Sequence, residues 1–167
     1  MTFLFTDIEA STRLLQQLGD AYADVLETHN DLVTRALGGE GGVVFGSQGD
    51  ALFAAFVDPV AAVVAALAAQ RGLRAFPWDG HEVRVRMGIH TGTAALRAGT
   101  YVGLDVHRVA RICSAARGGQ VLVSAATAAA ITCDLPDGAG LVDLGLHRLK
   151  GMPEADRLYD VTHPELS

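Results

Sequence analysis

The order of strand-like and helical patterns constrains the fold of this chain more than any other feature of its sequence. Apolar residues recur at every second position in residues 83–90, which is typical of a half-buried strand. They recur every three or four positions in residues 15–36, which predicts one long amphipathic helix. The predicted elements, in chain order, are a strand at 2–6, a helix at 15–36, strands at 43–45 and 51–56, a helix at 59–73, a strand at 83–90, a helix at 104–116, a strand at 120–124, a short helix, and strands at 141–144 and 157–161. This order predicts an α+β fold with a ferredoxin-like βαββαβ core and additional C-terminal strands, in one domain over residues 1–167.

Composition and charge limit the kind of protein that this chain can be. Half of the 167 residues are hydrophobic and 19% are charged, which indicates a globular domain with a sizeable core. The formal net charge is −6, and the sequence contains no cluster of Lys and Arg residues that could bind phosphate backbones. We therefore expect no nucleic-acid partner. The longest apolar stretch, residues 57–70, is too short for a bilayer and no signal peptide is recognisable, so we expect no membrane insertion. The two cysteines, Cys113 and Cys133, suit a reducing compartment, and the expected location is the cytoplasm.

The first twelve residues place a carboxylate where an apolar strand meets the start of a helix. Residues 2–6 are β-branched, aromatic or aliphatic, which indicates a short buried strand. Asp7 follows this strand directly, and Ser11 or Thr12 is expected to cap the next helix. On this stretch alone Asp7 has two interpretations, a cap of the turn or a member of a functional site.

Asp50 is the second carboxylate in an unusual place. It lies in the glycine-flanked segment 46–50, which is expected to join two apolar strands as a hairpin. Two acids at strand tips of one small sheet can converge, and converging carboxylates repel each other unless a cation lies between them. Divalent cations prefer oxygen ligands, and Mg²⁺ is usually held by one or two carboxylates together with substrate phosphates. The pair therefore indicates a Mg²⁺ or Mn²⁺ site that binds a nucleotide, whereas Asp50 alone is equally well explained as a turn residue.

Several segments resemble the class III nucleotidyl cyclase catalytic domains of bacteria. They are FTDIEAST at 5–12, GSQGDALFAAF at 46–56, RVRMGIHTG at 84–92 and YVGLDVHRVARICSAARGGQVLVS at 101–124. The ending LGLHRLKGMPEADRLYDV is similar to the closing strands of bacterial members, and all segments occur in the order of the family. The resemblance implies that a nucleoside triphosphate is converted to a 3′,5′-cyclic nucleotide with the help of two metal ions. It also implies a homodimer in which each site is shared between the two subunits.

The same resemblance assigns the metal-binding half of the site. Asp7 and Asp50 correspond to the two metal-bridging acids, and Ile8 is expected to add a backbone carbonyl ligand. The expected ions are two Mg²⁺ or Mn²⁺. Backbone N–H groups at the start of the following helix are expected to bind the β- and γ-phosphates. They are the amides of Ile8, Glu9, Ala10 and Ser11.

The half contributed by the other subunit departs from the family pattern. Arg111 corresponds to the transition-state arginine, whose planar guanidinium holds the α-phosphate. His107, one helical turn earlier, occupies the usual asparagine position, with a surface histidine as the alternative interpretation. Gly46 stands where the family has a base-reading lysine, and Thr100 stands at the position of its partner, commonly aspartate. Lys150 lies only near the phosphate-binding lysine of the family and is expected to be a structural or surface residue.

Two functions of different classes follow from these residues. The first is a homodimeric adenylate cyclase that converts ATP to 3′,5′-cyclic AMP and pyrophosphate, slowly or only with Mn²⁺, and the intact pair Asp7 and Asp50 favours it. The second is a degenerate, non-catalytic nucleotide-binding domain that signals through dimerisation, which Gly46 and His107 favour. A third interpretation, a phosphoacceptor domain that uses Asp7, leaves Asp50 and Arg111 unexplained.

Overall fold

The computed structural model describes residues 1–166 and contains a seven-stranded sheet with helices on both faces. Two short 3₁₀ turns, Gly19–Ala21 and Pro164–Leu166, complete the regular structure. The strands and α-helices are β1 (Thr2–Ile8), α1 (Ser11–Leu18), α2 (Tyr22–Gly39), β2 (Val43–Gln48), β3 (Ala51–Phe56), α3 (Pro59–Ala75), β4 (Val85–Thr91), β5 (Ala95–Arg97), β6 (Thr100–Val102), α4 (Leu104–Ala115), β7 (Val121–Ser124), α5 (Ala125–Ile131), β8 (Gly140–Arg148) and β9 (Ala155–Thr162).

The strand order of the main sheet is β2-β3-β1-β4-β7-β9-β8. The first four strands are antiparallel neighbours and have the order of a ferredoxin-like βαββαβ core. Strand β7 then pairs in parallel with β4, and the β8–β9 hairpin extends the sheet beyond β7. The α+β fold with additional C-terminal strands, predicted from the order of patterns, is confirmed.

Alternation along β1 divides the core between the two faces of the sheet. Leu4 and Ile8 face the larger cluster, to which α2 and α3 contribute, whereas Phe3 and Phe5 pack in a separate cluster with α4. All four side chains are buried. Because β1 is central and buried on both faces, the residues at its C-terminal end have a rigid support.

Three local predictions need correction. The helix expected at 15–36 is interrupted, because Gly19 has a φ of 56° and a 3₁₀ turn separates α1 from α2. The capping residue before α1 is Ala10, which makes no side-chain hydrogen bond, so the expected cap at Ser11 or Thr12 is wrong. The segment between β4 and α4, for which the sequence predicts no strand, contains the antiparallel β5–β6 hairpin.

Three further observations concern the remaining parts of the chain. Both cysteines are free thiols, with Cys113 buried and Cys133 exposed. Lys150 is exposed after β8, as expected for a surface residue. In the part of the chain that the structure describes, no helix combines the length and the apolar character that crossing a bilayer requires.

Candidate active site

The end of β1 and the β2–β3 turn bring the two predicted metal-binding acids to one place. Asp7 is the penultimate residue of β1, and Asp50 lies in the turn between β2 and β3. Thr6 of β1 pairs with Leu52 of β3, and the two strands are antiparallel. The turn that precedes β3 therefore lies beside the C-terminal end of β1. Oδ2 of Asp50 accepts a hydrogen bond from the backbone N–H of Ile8, with an N–O distance of 2.5 Å.

Arg86 lies directly opposite Asp7 in the β1–β4 pairing and forms a bidentate ion pair with it. Its Nε and Nη2 donate to Oδ1 and Oδ2 of Asp7, each at 2.6 Å. The hydrogen bond to Asp7 raises the pKa of Arg86, against the opposing effect of burial. We did not identify Arg86 from the sequence. The alternation of residues 83–90 places Arg84 and Arg86 on one face of β4, but only the strand register selects Arg86 as the partner of Asp7.

The donor set at this point fits a divalent cation that also binds substrate. Two half-buried carboxylates offer oxygen atoms of the kind that divalent cations prefer. The ion pair with Arg86 shows that the carboxylate of Asp7 already stabilises one positive charge. Among residues 1–166, no group of three or more His, Cys, Asp or Glu side chains is arranged for a metal ion. The further ligands would therefore be the backbone carbonyl of Ile8, water and substrate phosphates. An ion on Asp7 also requires that Arg86 give up part of its contact.

The start of α1 offers fewer free donors than the sequence suggested. The N–H of Ile8 donates to Asp50, and the N–H of Glu9 donates to the carbonyl of Arg84 at 2.8 Å, so two of the four predicted phosphate-binding amides are already hydrogen-bonded within the chain. The amides of Ala10 and Ser11 have no acceptor in the described chain. Ala10 has φ 55° and ψ 42°, an unusual left-handed conformation for alanine that begins the helix. Of the four predicted amides, two at the helix start therefore remain available for a phosphate.

The residues predicted for the other half of the site lie on α4. His107 is exposed and Arg111 is half-buried, one helical turn apart. Within the described residues, neither side chain makes a hydrogen bond or an ion pair. The last turn of α4 instead contacts the arginine that pairs with Asp7, since the carbonyl of Ser114 accepts from Nη1 of Arg86 at 3.4 Å. Within one chain, no direct contact joins His107 and Arg111 to the two carboxylates.

The two predicted base-reading positions, Gly46 and Thr100, are each adjacent in sequence to an aromatic residue, and these two aromatic rings are in contact. Phe45 and Tyr101, which precede Gly46 and follow Thr100, have ring centroids 5.1 Å apart in an edge-to-face arrangement. A Cβ atom on Gly46 would lie 3.2 Å from Cδ2 of Phe53, which is a tight contact. The structure therefore brings these two positions of one chain to the same region, at β2 and β6.

A buried histidine lies within electrostatic reach of both acids. His29 on α2 is fully buried, its Nδ1 lies 2.9 Å from Oδ1 of Asn30, and its Nε2 has no partner among the described residues. Burial lowers the pKa of His29, although the Asn30 contact and the charges of Asp50 and Asp7 oppose this effect. The imidazole is therefore neutral at neutral pH.

The chain is similar to an uncharacterised mycobacterial protein and to several adenylate cyclases. No family model matches it. An uncharacterised protein of Mycobacterium tuberculosis is 38% identical over 168 residues, covering 99% of this chain and 57% of that protein. An adenylate cyclase of Lachancea kluyveri is 31% identical over 150 residues, covering 74% of this chain and 8% of that protein. The chain thus spans little more than half of the first relative and a small part of the second.

A solved structure supports the same relationship at the level of the fold. An adenylate cyclase of Trypanosoma brucei, described in its monomeric state, superposes with a TM-score of 0.87 at 26% sequence identity. The match covers 96% of this chain and 88% of the other. Together with the strand order, these similarities show that the chain has the fold of the class III nucleotidyl cyclase domains and resembles them in sequence.

Proposed function

We propose that this chain is an adenylate cyclase that converts ATP to 3′,5′-cyclic AMP and pyrophosphate. In this proposal residues 1–167 form one catalytic domain, which acts in the cytoplasm as a homodimer with shared sites and two Mg²⁺ or Mn²⁺ ions. The observation that carries it is the meeting of Asp7 and Asp50 at the end of β1, where Ile8 holds Asp50 through its amide. A pure binding module could lose either of the two carboxylates. The adenylate cyclases among the relatives support the choice of ATP.

In the proposed reaction, the ribose 3′-oxygen forms a bond to the α-phosphorus while the bond from the α-phosphorus to the bridging β-phosphate oxygen breaks. The bound ions would favour loss of the 3′-hydroxyl proton and neutralise charge on the departing pyrophosphate. Asp7 and Asp50 would hold these ions, with the carbonyl of Ile8 as a further ligand. The free amides of Ala10 and Ser11 would receive the terminal phosphates at the start of α1.

The second subunit would complete each site from its helix α4. Arg111 has no ion-pair partner within residues 1–166, so its guanidinium is available for the α-phosphate, where charge grows in the transition state. His107, exposed one turn earlier, would donate a hydrogen bond to the ribose or to an α-phosphate oxygen. Within residues 1–166, no hydrogen bond or ion pair joins these residues to Asp7 or Asp50, so they would act in the site of the partner subunit.

Base recognition is reduced in this proposal. Gly46 contributes no side chain, and Thr100 contributes a hydroxyl that both donates and accepts. A single hydroxyl distinguishes the exocyclic amino group of adenine poorly from the oxygen of guanine. We therefore expect ATP to be preferred over GTP by a small factor only.

A second candidate function is a non-catalytic nucleotide-binding regulatory domain. Two observations favour it: Gly46 lacks the base-reading side chain, and Arg86 occupies both oxygens of Asp7. In such a domain, nucleotide binding would change dimerisation without turnover.

Incubation of the full chain with each of the four ribonucleoside triphosphates and Mn²⁺, followed by mass spectrometry, separates the two functions. The proposal expects cyclic AMP and pyrophosphate from ATP, and loss of both products in Asp50→Asn with a circular dichroism spectrum like that of the wild type. Asp143→Asn is the matched control, because Asp143 is an exposed carboxylate on β8 that is far from Asp7 in the sheet order. Nucleotide binding without any cyclic product from the wild type would favour the regulatory domain, and undiminished turnover in Asp50→Asn would contradict the metal assignment.

A further inference from the structure

A chain of short polar contacts connects β7, β4 and the first turn of α4. His90 on β4 lies with Nδ1 2.7 Å from Oγ of Ser124 and with Nε2 2.7 Å from Oδ1 of Asp105. The other oxygen of Asp105, Oδ2, accepts from the backbone N–H of Thr93 at 2.9 Å. His90 and Ser124 are buried, at 4% and 2% exposure. These contacts attach the start of α4 to the centre of the sheet.

Every polar group in this chain of contacts has a partner when His90 is neutral and Asp105 is ionised. The hydroxyl of Ser124 then donates to Nδ1 of His90, and Nε2–H donates to Asp105. Burial would raise the pKa of Asp105, but the N–H of Thr93, the contact with His90 and the charge of Arg108 together lower it. The carboxylate form, which accepts two hydrogen bonds, is therefore the stable form.

Ser124 is excluded as a nucleophile despite the Ser–His–Asp composition of this cluster. Its side chain is buried, and its oxygen already accepts from the backbone N–H of Thr127 as the cap of α5. The role of the cluster is therefore to hold elements in place.

Two glycines of the β4 region allow α4 to lie directly against the strand. A Cβ on Gly92 would lie 2.3 Å from Oδ2 of Asp105, and a Cβ on Gly88 would lie 2.4 Å from the backbone nitrogen of Cys113. The first contact is at the first turn of α4 and the second at its last turn. Close packing at both ends of α4 thus restricts movement of the helix relative to β4.

We propose that His90 and Asp105 are positioning residues for the cyclase site. They hold the first turn of α4 so that His107 and Arg111, which lie between the two glycine contacts, face the nucleotide in a fixed register. This inference rests on the proposed function, because it concerns the residues that the second subunit contributes. A displacement of about 1 Å in such residues costs up to roughly 100-fold in rate.

The first test is steady-state kinetics of the full chain with ATP and Mn²⁺. Asp105→Asn introduces an amide hydrogen where only acceptors fit, and Gly92→Ala pushes against the same carboxylate without changing a charged group. Both should lower kcat by roughly 10- to 100-fold with KM within about threefold of the wild type. His90→Leu should behave in the same way, whereas His90→Gln, which keeps a donor for Asp105, should recover most of the loss. Asp143→Asn is the control carboxylate and should have no effect on kcat.

The second test separates positioning from general loss of structure. In a shared-site dimer, Asp105→Asn chains still carry an intact metal half, so mixing them with Asp50→Asn chains should restore activity. Mixing them with Arg111→Ala chains should not, because both variants damage the same half. Mn²⁺ binding by Asp105→Asn, followed by electron paramagnetic resonance, should equal that of the wild type.

The outcomes that contradict the inference are specific. It is overturned if Asp105→Asn keeps the kcat of the wild type, or if it fails to restore Asp50→Asn while an Asp50→Asn and Arg111→Ala mixture is active. A wild-type chain without cyclase activity would instead refute the proposed function. Amide hydrogen exchange then decides the inference. Faster exchange in α4 of Asp105→Asn, with β1 unchanged, supports a role in holding the helix, and unchanged exchange overturns it.

Discussion

The ion pair between Arg86 and Asp7 predicts a competition between the guanidinium and a divalent cation. Replacing Arg86 by methionine keeps an unbranched side chain of similar reach but removes the positive charge. Both oxygens of Asp7 then lose their donors, while the carboxylate of Asp50 remains beside the same strand end. The metal-free variant should therefore be less stable than the wild type, and it should bind Mn²⁺ more tightly.

The size of the effect follows from the exposure of the pair. Loss of one partner costs about 3–5 kcal/mol when an ion pair is buried, and exposed pairs contribute about 0–1 kcal/mol. The side chains of Arg86 and Asp7 are 26% and 22% exposed, so we expect an intermediate loss of about 2 kcal/mol. For a domain of this length that loss lowers Tm by roughly 4–8 °C. Without the competing guanidinium, the Kd for Mn²⁺ should fall about tenfold, which corresponds to about 1.4 kcal/mol.

Thermal unfolding across a Mn²⁺ titration, together with electron paramagnetic resonance of free Mn²⁺, measures both effects. Free Mn²⁺ at about 100 times Kd stabilises a folded protein by about 2.7 kcal/mol, enough to offset the loss in Arg86→Met. Arg84→Met is the matched control, because Arg84 is an exposed neighbour that pairs with Glu82. In an Asp7→Asn background the Arg86 substitution should cost much less. Equal Tm and equal Kd in Arg86→Met and wild type would refute the competition.

Three further predictions test other parts of the site. His107→Ala should lower kcat more than it raises KM, with an increase of up to about 3 kcal/mol in the activation free energy. His107→Asn should preserve or raise activity. Equal kinetics in the wild type and in both variants would identify His107 as a surface residue. Ala10→Gly should raise the free energy of unfolding in urea by about 0.5–1 kcal/mol, because it relieves a left-handed φ of 55°. Ala129→Gly, at an exposed position inside α5, should instead lower it by about 1 kcal/mol. Burial lowers the pKa of His29 below its ordinary 6.5, so the unfolded chain takes up a proton at a higher pH than the folded chain does. The contribution of His29 to the free energy of unfolding is therefore fully present above pH 6.5 and declines as the pH falls below that value. Urea midpoints should therefore decline less between neutral pH and about pH 5 in His29→Gln than in the exposed-site control His147→Gln, and an equal decline would contradict this prediction.

Patterns of apolar residues predicted the strands well where burial in the sheet determines the sequence. The strict alternation of 83–90 and the apolar segment 2–6 correspond to β4 and β1, because a strand buried in a sheet must present apolar side chains at fixed intervals. The helix expected at 15–36 was less accurate. Its apolar positions continue across Gly19, but the left-handed backbone of that glycine ends α1 and lets α2 begin in a new direction. The sequence did not indicate the β5–β6 hairpin, because each of its strands has only 3 residues, too few to show an alternation.

Partnerships between side chains required the tertiary structure. The sequence indicated that Asp7 and Asp50 belong together, since both acids follow or precede apolar strands of one predicted sheet. It did not indicate Arg86, because a shift of one residue in the β1–β4 register would place a different side chain opposite Asp7. The contact between His90 and Asp105 depends in the same way on how closely α4 approaches β4, and therefore on Gly88 and Gly92.

The sequence by itself determined the order of strands and helices, the α+β class and the two acids of the candidate site. These follow from local periodicity and from the cost of leaving a charge unpaired beside buried strands, both of which are properties of short segments. Only the tertiary structure decided the strand register, the partner of each carboxylate and which amides at the start of α1 are free. Those features depend on contacts between residues far apart in the chain, such as Arg86 with Asp7 and the N–H of Ile8 with Asp50, and no short segment contains the information that sets such distances.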